Sequence, residues 1–169
     1  MKILIAIDGS EYSEAVVDEI AHRHSPADTE VRVISVVNPP MPFSAESLAT
    51  SAGYDGELEK LERDGARSAI KKAVARLRRS LKGSSVKITS AVLSGSPKRV
   101  ILEEAEAFGA DLIVVGSHGY GALERFLLGS VSQSVALHAK CSVEIVRRPK
   151  TQTSASKKQE RKRKSCHER

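Results

Sequence analysis

The chain has 169 residues, 40% hydrophobic and 28% charged, which suits one globular domain that buries a core without disulfides or metals. No apolar stretch nears the ~20 residues of a membrane span, and Asp8 interrupts the N-terminal run "KILIAI" where a signal peptide would place its cleavage site; a cytoplasmic protein is expected. The net charge of +6 is local: residues 150–169 hold eight Lys and Arg against two Glu, while residues 1–149 hold nineteen of each sign.

The first run, "KILIAI" (2–7), is near-continuously apolar, as in a strand covered on both faces. Ser10 is placed to cap a first helix reaching about His24. "VRVISVV" (31–37) is a second strand. Pro39, Pro40 and Pro42 then predict an irregular segment over 38–56, long enough for a lid or insertion. A long helix is expected from about Glu57 to Lys82. Its apolar stripe comprises Leu58, Leu61, Ala66, Ala69, Ile70, Ala73, Val74, Leu77 and Leu81. Lys and Arg fill its other face, read as solvated, and Gly83 stops it.

"VKITSAVL" (86–93) is the third strand. Ser96-Pro97 opens a third helix, with Pro at its first position, and Gly109 closes it. "DLIVVG" (111–116) is the fourth strand, a fourth helix runs from near Gly129-Ser130 to about Lys140, and "SVEIVR" (142–147) is the last strand. Strands alternating with helices predict right-handed βαβ units and an open parallel α/β sheet over residues 1–149. The tail 150–169 lacks apolar residues and is expected to be disordered. Any non-specific affinity for nucleic acid is assigned to that tail. Cys141 is expected to face the core and Cys166 to be a free thiol in the tail; no metal-ligand spacing links them.

The chemistry concentrates in "VVGSHGYGALERFLLGSVSQS" (114–134). Gly116, Gly119 and Gly121 let backbone N–H groups approach a ligand. The helix beginning at Gly129-Ser130 offers unpaired N–H groups and a positive dipole end. Together these suit a phosphate, to which the Ser130 and Ser132 hydroxyls can add donors. The stretch is neither a Walker loop nor a dinucleotide fingerprint. Ligands of open α/β sheets bind beyond the carboxyl ends of strands where the strand order reverses. If the first and fourth strands are neighbours there, Asp8 faces the glycines and can accept from a ribose hydroxyl or hold a metal-bound water; its alternative role is to cap the first helix. His118 is read as a solvent-facing loop residue, and Arg125 as reaching either a phosphate or a surface ion-pair partner. No Ser/His/Asp or Cys/His constellation is suggested.

Gly116-x2-Gly119-x9-Gly129-Ser130 resembles the nucleotide motif of the universal stress protein family. "ILIAIDGSEYSEAVV" resembles that family's first strand and helix. "GSPKRVILEEAEAFGADLIVVGSHG" and "LLGSVSQSVALHAKCSVEIVR" resemble its later elements. The resemblance implies a Rossmann-like sheet of five parallel strands in the order 3-2-1-4-5, with helices on both faces, in a homodimer. It implies ATP as the ligand, its phosphates at Gly116, Gly119, Gly129, Ser130 and Val131, with Mg2+ or Mn2+ held mainly by those phosphates. Asp8 meets ribose or metal, and adenine meets backbone near Ala6 and Val36. The implied role is that of a stress-response sensor or regulator; a slow ATPase and a non-nucleotide interaction protein are the alternatives. The family often has Pro where "CSV" (141–143) has Ser142. As the last strand, "SVEIVR" should lie at a sheet edge, where pairing with its twin through Val143 and Ile145 would protect it.

Overall fold

The computed structural model describes residues 1–23, 26, 28–38, 47–119 and 128–147. Five strands, β1 (Lys2–Ala6), β2 (Glu30–Val37), β3 (Lys87–Ser94), β4 (Leu112–Gly116) and β5 (Ser142–Val146), alternate with four helices. These are α1 (Glu11–His22), α2 (Ser47–Ser80), α3 (Pro97–Phe108) and α4 (Ser130–His138). All strand pairs are parallel and the order is 3-2-1-4-5. The architecture is the one that the alternation and the resemblance imply.

Side chains of a strand alternate between faces, and the two cores follow that period. Ile3, Ile5 and Ile7 of the first strand region, with Val31 and Val33, pack against Val16, Val17 and Ile20 of α1 and Ile70, Ala73 and Leu77 of α2. Leu4, Ile34, Ile113 and Val115 pack on the other face against Ile101 and Ala105 of α3 and Val135 of α4. Strands covered on both faces have no polar side to show, which is why their sequences read as continuous apolar runs.

Local chemistry sets the helix ends. The Ser13 N–H donates to Ser10 Oγ at 3.4 Å, and Glu11 and Glu14 stand in the first turn of α1, where the helix dipole favours acids. Pro97 opens α3, and Gly109, at φ 67°, ends it in the left-handed region. The Arg23 guanidinium donates to Glu144 Oε2 at 2.5 Å and ties the end of α1 to β5; that hydrogen bond pushes the Arg23 pKa up from its ordinary value. Cys141 is half-buried beside the α3/α4 core, and burial pushes its thiol pKa up.

Two expectations change. The long helix starts at Ser47, ten residues before Glu57. A proline constrains itself and the residue before it, so the signal of Pro39, Pro40 and Pro42 does not reach Ser47, and a helix once nucleated propagates cheaply. The prolines themselves lie outside the described residues, as do Gly121, Arg125 and the tail. The apolar stripe also starts later than expected. Leu58 and Leu61 are 49% and 69% exposed, while Leu77 is fully buried. At 3.6 residues per turn they stand about 100° and 160° around the helix from Leu77. Among the described residues no helix is long and apolar enough to cross a membrane.

Leu77 anchors α2 in the core it shares with α1 and β1. Replacing it with Ala should destabilise the protein by about 2–5 kcal/mol, the range for a fully buried leucine. Urea denaturation should show a lower midpoint with little change in slope.

Candidate functional site

The pairing of β1 with β4 brings two loops together. Ala6 lies opposite Val115 in the register, so the chain leaving β1 at Asp8 runs beside the chain leaving β4 at Gly116. On its other side Ala6 lies opposite Ile34 of β2. This is the point where the strand order reverses, the usual place for a ligand in such a sheet.

Asp8 is held by a short hydrogen-bond ring. Its backbone N–H donates to Ser13 Oγ at 2.9 Å, and the Ser13 hydroxyl donates back to Asp8 Oδ1 at 2.6 Å. The Ser10 N–H donates to the same Oδ1 at 2.9 Å. Ser13 is buried within the first turn of α1. The helix cap is therefore Ser10, and Asp8 is fixed by the cap instead of serving as one. The ring leaves Oδ2 directed at the second loop: a Cβ built on Gly119 would stand 2.6 Å from it.

The second loop is fastened at both ends. The Ser117 N–H donates to Val146 O at 2.8 Å, which continues the sheet one residue past β4. The Gly129 N–H donates to Ser117 O at 2.8 Å, so the chain returns to where it left. The Ser132 hydroxyl reaches Ser117 O at 3.2 Å and Gly129 O at 3.1 Å. Gly129 has φ −59°, which any residue adopts. Its bareness eases a close approach, since a Cβ there would meet Ser117 O at 3.2 Å and His118 Cα at 3.3 Å. As the N-cap of α4 it brings no side chain to the first-turn N–H groups, and these point out of the helix start.

Of the residues singled out from sequence, Asp8, Gly119, Gly129 and Ser130 meet around this crevice. Gly116 does something different. A Cβ on it would stand 3.0 Å from Tyr12 Cβ and 3.3 Å from Tyr12 C, so its bareness lets β4 pack against the start of α1. Ala6, Val36 and Val131 sit partly buried against the core of the α3/α4 face. His118 is not solvent-facing. It is half-buried, its ring lies 5.2 Å from that of Tyr12, and Ser117 Oγ is 3.1 Å from its Nδ1. A cavity of about 900 Å3 opens at the same edge of the sheet on the α1/α2 face, and Asp8, Gly9, Val36 and Asn38 line the end nearest the crevice.

Sequence reasoning missed Ser13 and Ser117 as positioning residues and read Ser132 as a donor to phosphate, whereas its hydroxyl reaches Ser117 O and Gly129 O. The spacing Asp8-x-Ser10-x2-Ser13 was a usable signal, because the third position of a helix lies over its N-cap. Ser117 and Ser132 gave none, since their contact spans fifteen residues. Among the described residues no group of three His, Cys, Asp or Glu side chains converges as a metal site would.

These features define a doubly wound α/β domain with a ligand-type crevice at its switch point, walled by a carboxylate, two closely approached glycines and a helix start. The chain belongs to the universal stress protein family, whose model matches residues 1–147. It is 35% identical over 149 residues to a universal stress protein of Methanocaldococcus jannaschii, covering 88% of this chain and 83% of the relative. The solved structure of the protein MJ0577 superposes with a TM-score of 0.71 at 25% identity, covering 89% of this chain and 97% of that one. An Arabidopsis thaliana family member with AMP bound has a TM-score of 0.58 at 18% identity, covering 92% and 96%. One from Archaeoglobus fulgidus in complex with dAMP has a TM-score of 0.53 at 23% identity, covering 86% and 96%.

The ring around Asp8 is testable apart from any ligand. Ser13→Ala removes one acceptor and one donor from a buried place and leaves the Asp8 N–H without that partner. The expected cost is about 1–3 kcal/mol, read as a lower melting temperature. An unchanged melting temperature would show that the ring does not hold the loop.

Proposed function

We propose that this chain binds an adenine nucleotide, with ATP as the principal ligand, and acts as a stress-response sensor or regulator more than as an enzyme. The observation that carries the reading is the meeting of Asp8 and Gly119 across the switch point, beside the bare start of α4 at Gly129-Ser130. Phosphates would lie against the Gly119 backbone and the first-turn N–H groups of Ser130 and Val131. Gly116 would shape the loop from behind. Asp8 would accept from a ribose hydroxyl. The adenine would lie near the backbone of Ala6 and Val36, at the ends of β1 and β2.

The relatives solved with AMP and dAMP support the nucleotide class. A divalent cation fits as a companion of the phosphates, because Mg2+ is commonly held by one or two carboxylates together with substrate oxygens; Asp8 would be its protein ligand. Catalysis would further need a group to orient water and charge to stabilise the transition state. The sequence suggests no base for that step, so little turnover is expected.

Gly119→Val is the direct test of the site. Asp8 Oδ1 is anchored by two hydrogen bonds, so the carboxylate has little room to swing away from a new side chain. Calorimetry with ATP should show affinity reduced at least tenfold; φ at Gly119 is not positive, so the backbone adds no strain, and the new Cβ against the held Asp8 carboxylate should lower the melting temperature without unfolding the protein. Mass spectrometry of small molecules released from freshly denatured wild-type protein should identify an adenine nucleotide. Equal affinity in a folded Gly119→Val variant would move the site elsewhere, and steady release of phosphate from ATP would favour the ATPase reading.

The second part of the proposal is a homodimer through β5. That strand is at one edge of the sheet, and Val143 and Ile145 are only partly buried. An apolar edge left open invites pairing, and a second copy closes it. Light scattering at micromolar concentration should give twice the chain mass. A monomer under those conditions would refute the β5 dimer.

A further inference from the structure

The neutral sum of residues 1–149 conceals a strong separation of charge on α2. From Gly65 to Lys82 the chain carries no Asp or Glu. The same stretch buries Ala66, Ile70, Ala73 and Leu77 against the sheet. Its basic residues fall in two rows, one on each side of the solvent face. Arg67, Lys71 and Arg78 border a groove of about 530 Å3 between α2 and the edge strand β3, with Ser90 and Val92 opposite; Lys82 follows two residues past the end of the helix and is exposed. Lys72, Arg76 and Arg79 border the larger cavity on the α1 side. Between the rows stand Ser68 and Ala75, both small and exposed.

Intramolecular pairing uses little of this charge. Arg76 pairs with Asp18 and Arg67 with Asp64. Among the described residues, Lys71, Lys72, Arg78, Arg79 and Lys82 have no acidic partner within ion-pair distance. Like charges this dense on one helix repel, at i,i+4 spacing directly, and an external polyanion relieves that repulsion.

We propose that the C-terminal half of α2 is a docking surface for the phosphodiester backbone of nucleic acid, separate from the meeting of Asp8 and Gly119 although its Lys72–Arg79 row borders the same cavity. Three features select this partner. Cations cover both flanks of the solvent face, which suits a chain of phosphates lying along the helix and not a single anion in one groove. The face between the rows holds no large apolar residue, so it has nothing to insert into a bilayer. Arg67 to Arg79 spans about 18 Å at 1.5 Å per residue, roughly five base-pair steps of duplex at 3.4 Å each. The contact is to backbone, so it carries no sequence preference.

The test uses the full chain and a labelled 20-base-pair duplex of arbitrary sequence, read by fluorescence anisotropy over a salt series. One variant has the tail neutralised by changing Lys157, Lys158, Arg161, Lys162, Arg163 and Lys164 to Gln. A second adds Lys71→Gln, Lys72→Gln and Arg79→Gln, exposed changes to a residue of similar helix propensity. Circular dichroism confirms that each is folded. The tail-neutral variant should still bind, with a salt slope of about −4 to −5 from the five unpaired cations. The added α2 changes should weaken binding at least tenfold at low salt and reduce the slope by about 3. The proposal fails if the tail-neutral variant does not bind, if the α2 changes leave the slope intact, or if anionic phosphatidylserine vesicles bind where the duplex does not.

Discussion

The central constraint of this fold is that β1 pairs in parallel with β2 on one side and β4 on the other. Ile3, Leu4 and Ile5 are fully buried, so the strand contributes to both cores and cannot shift register without exposing one of them. That fixed register brings the end of β1 beside the end of β4, so Asp8 faces Gly119. The loops add little positioning of their own. They inherit it from a strand that must be apolar on both faces, then lock it with a few polar contacts, chiefly through Ser13 and Ser117.

Those polar contacts show why each glycine has its own reason. Gly116 clears a path for Tyr12, so it serves the packing of α1 on the sheet. Gly129 clears room for Ser117 O, so it closes the loop. Gly119 alone is set against a charged side chain at the crevice. A motif written as three equal glycines therefore joins one packing position, one closure position and one site position. Substitutions at the three should differ in kind: the first two act through packing and loop closure, and the third acts at the Asp8 carboxylate and so on the ligand as well.

The sheet was legible in the sequence because parallel strands carry their burial in composition. Continuous Val and Ile runs separated by helical stripes leave few alternatives, and strand bounds shifted by a residue or so. Strand order is a different matter. Nothing in the periodicity orders five parallel strands, and that order came from the resemblance around Gly116, Gly119 and Gly129. The long helix was legible where its stripe is strict, from Ala66 to Leu81, and misread ahead of it. Leu58 and Leu61 are apolar and three residues apart, yet at 3.6 residues per turn they stand about 100° and 160° around the helix from Leu77, so they do not share the buried stripe. The Asp8 ring was half visible: Ser10 is a recognisable cap, whereas the use of Ser13 as both donor and acceptor depends on the chain's turn at Gly9.

The crevice has a polarity that restricts what it can hold. Backbone N–H groups at the start of α4 offer donors, and Asp8 presents a carboxylate nearby. A bare phosphate placed between them would gain from the first and be repelled by the second, since like charges a few ångströms apart in a partly dry site interact by several kcal/mol. A ligand with an anionic end and a neutral hydroxyl end satisfies both walls at once. Ribose attached to phosphate has that order of groups, with its hydroxyls free to donate to a carboxylate. A divalent cation between carboxylate and phosphate is the other way to reconcile the two charges. On the proposed reading, Asp8 thus discriminates against simple anions as much as it contributes affinity, and it separates this crevice from a general anion site at a helix start.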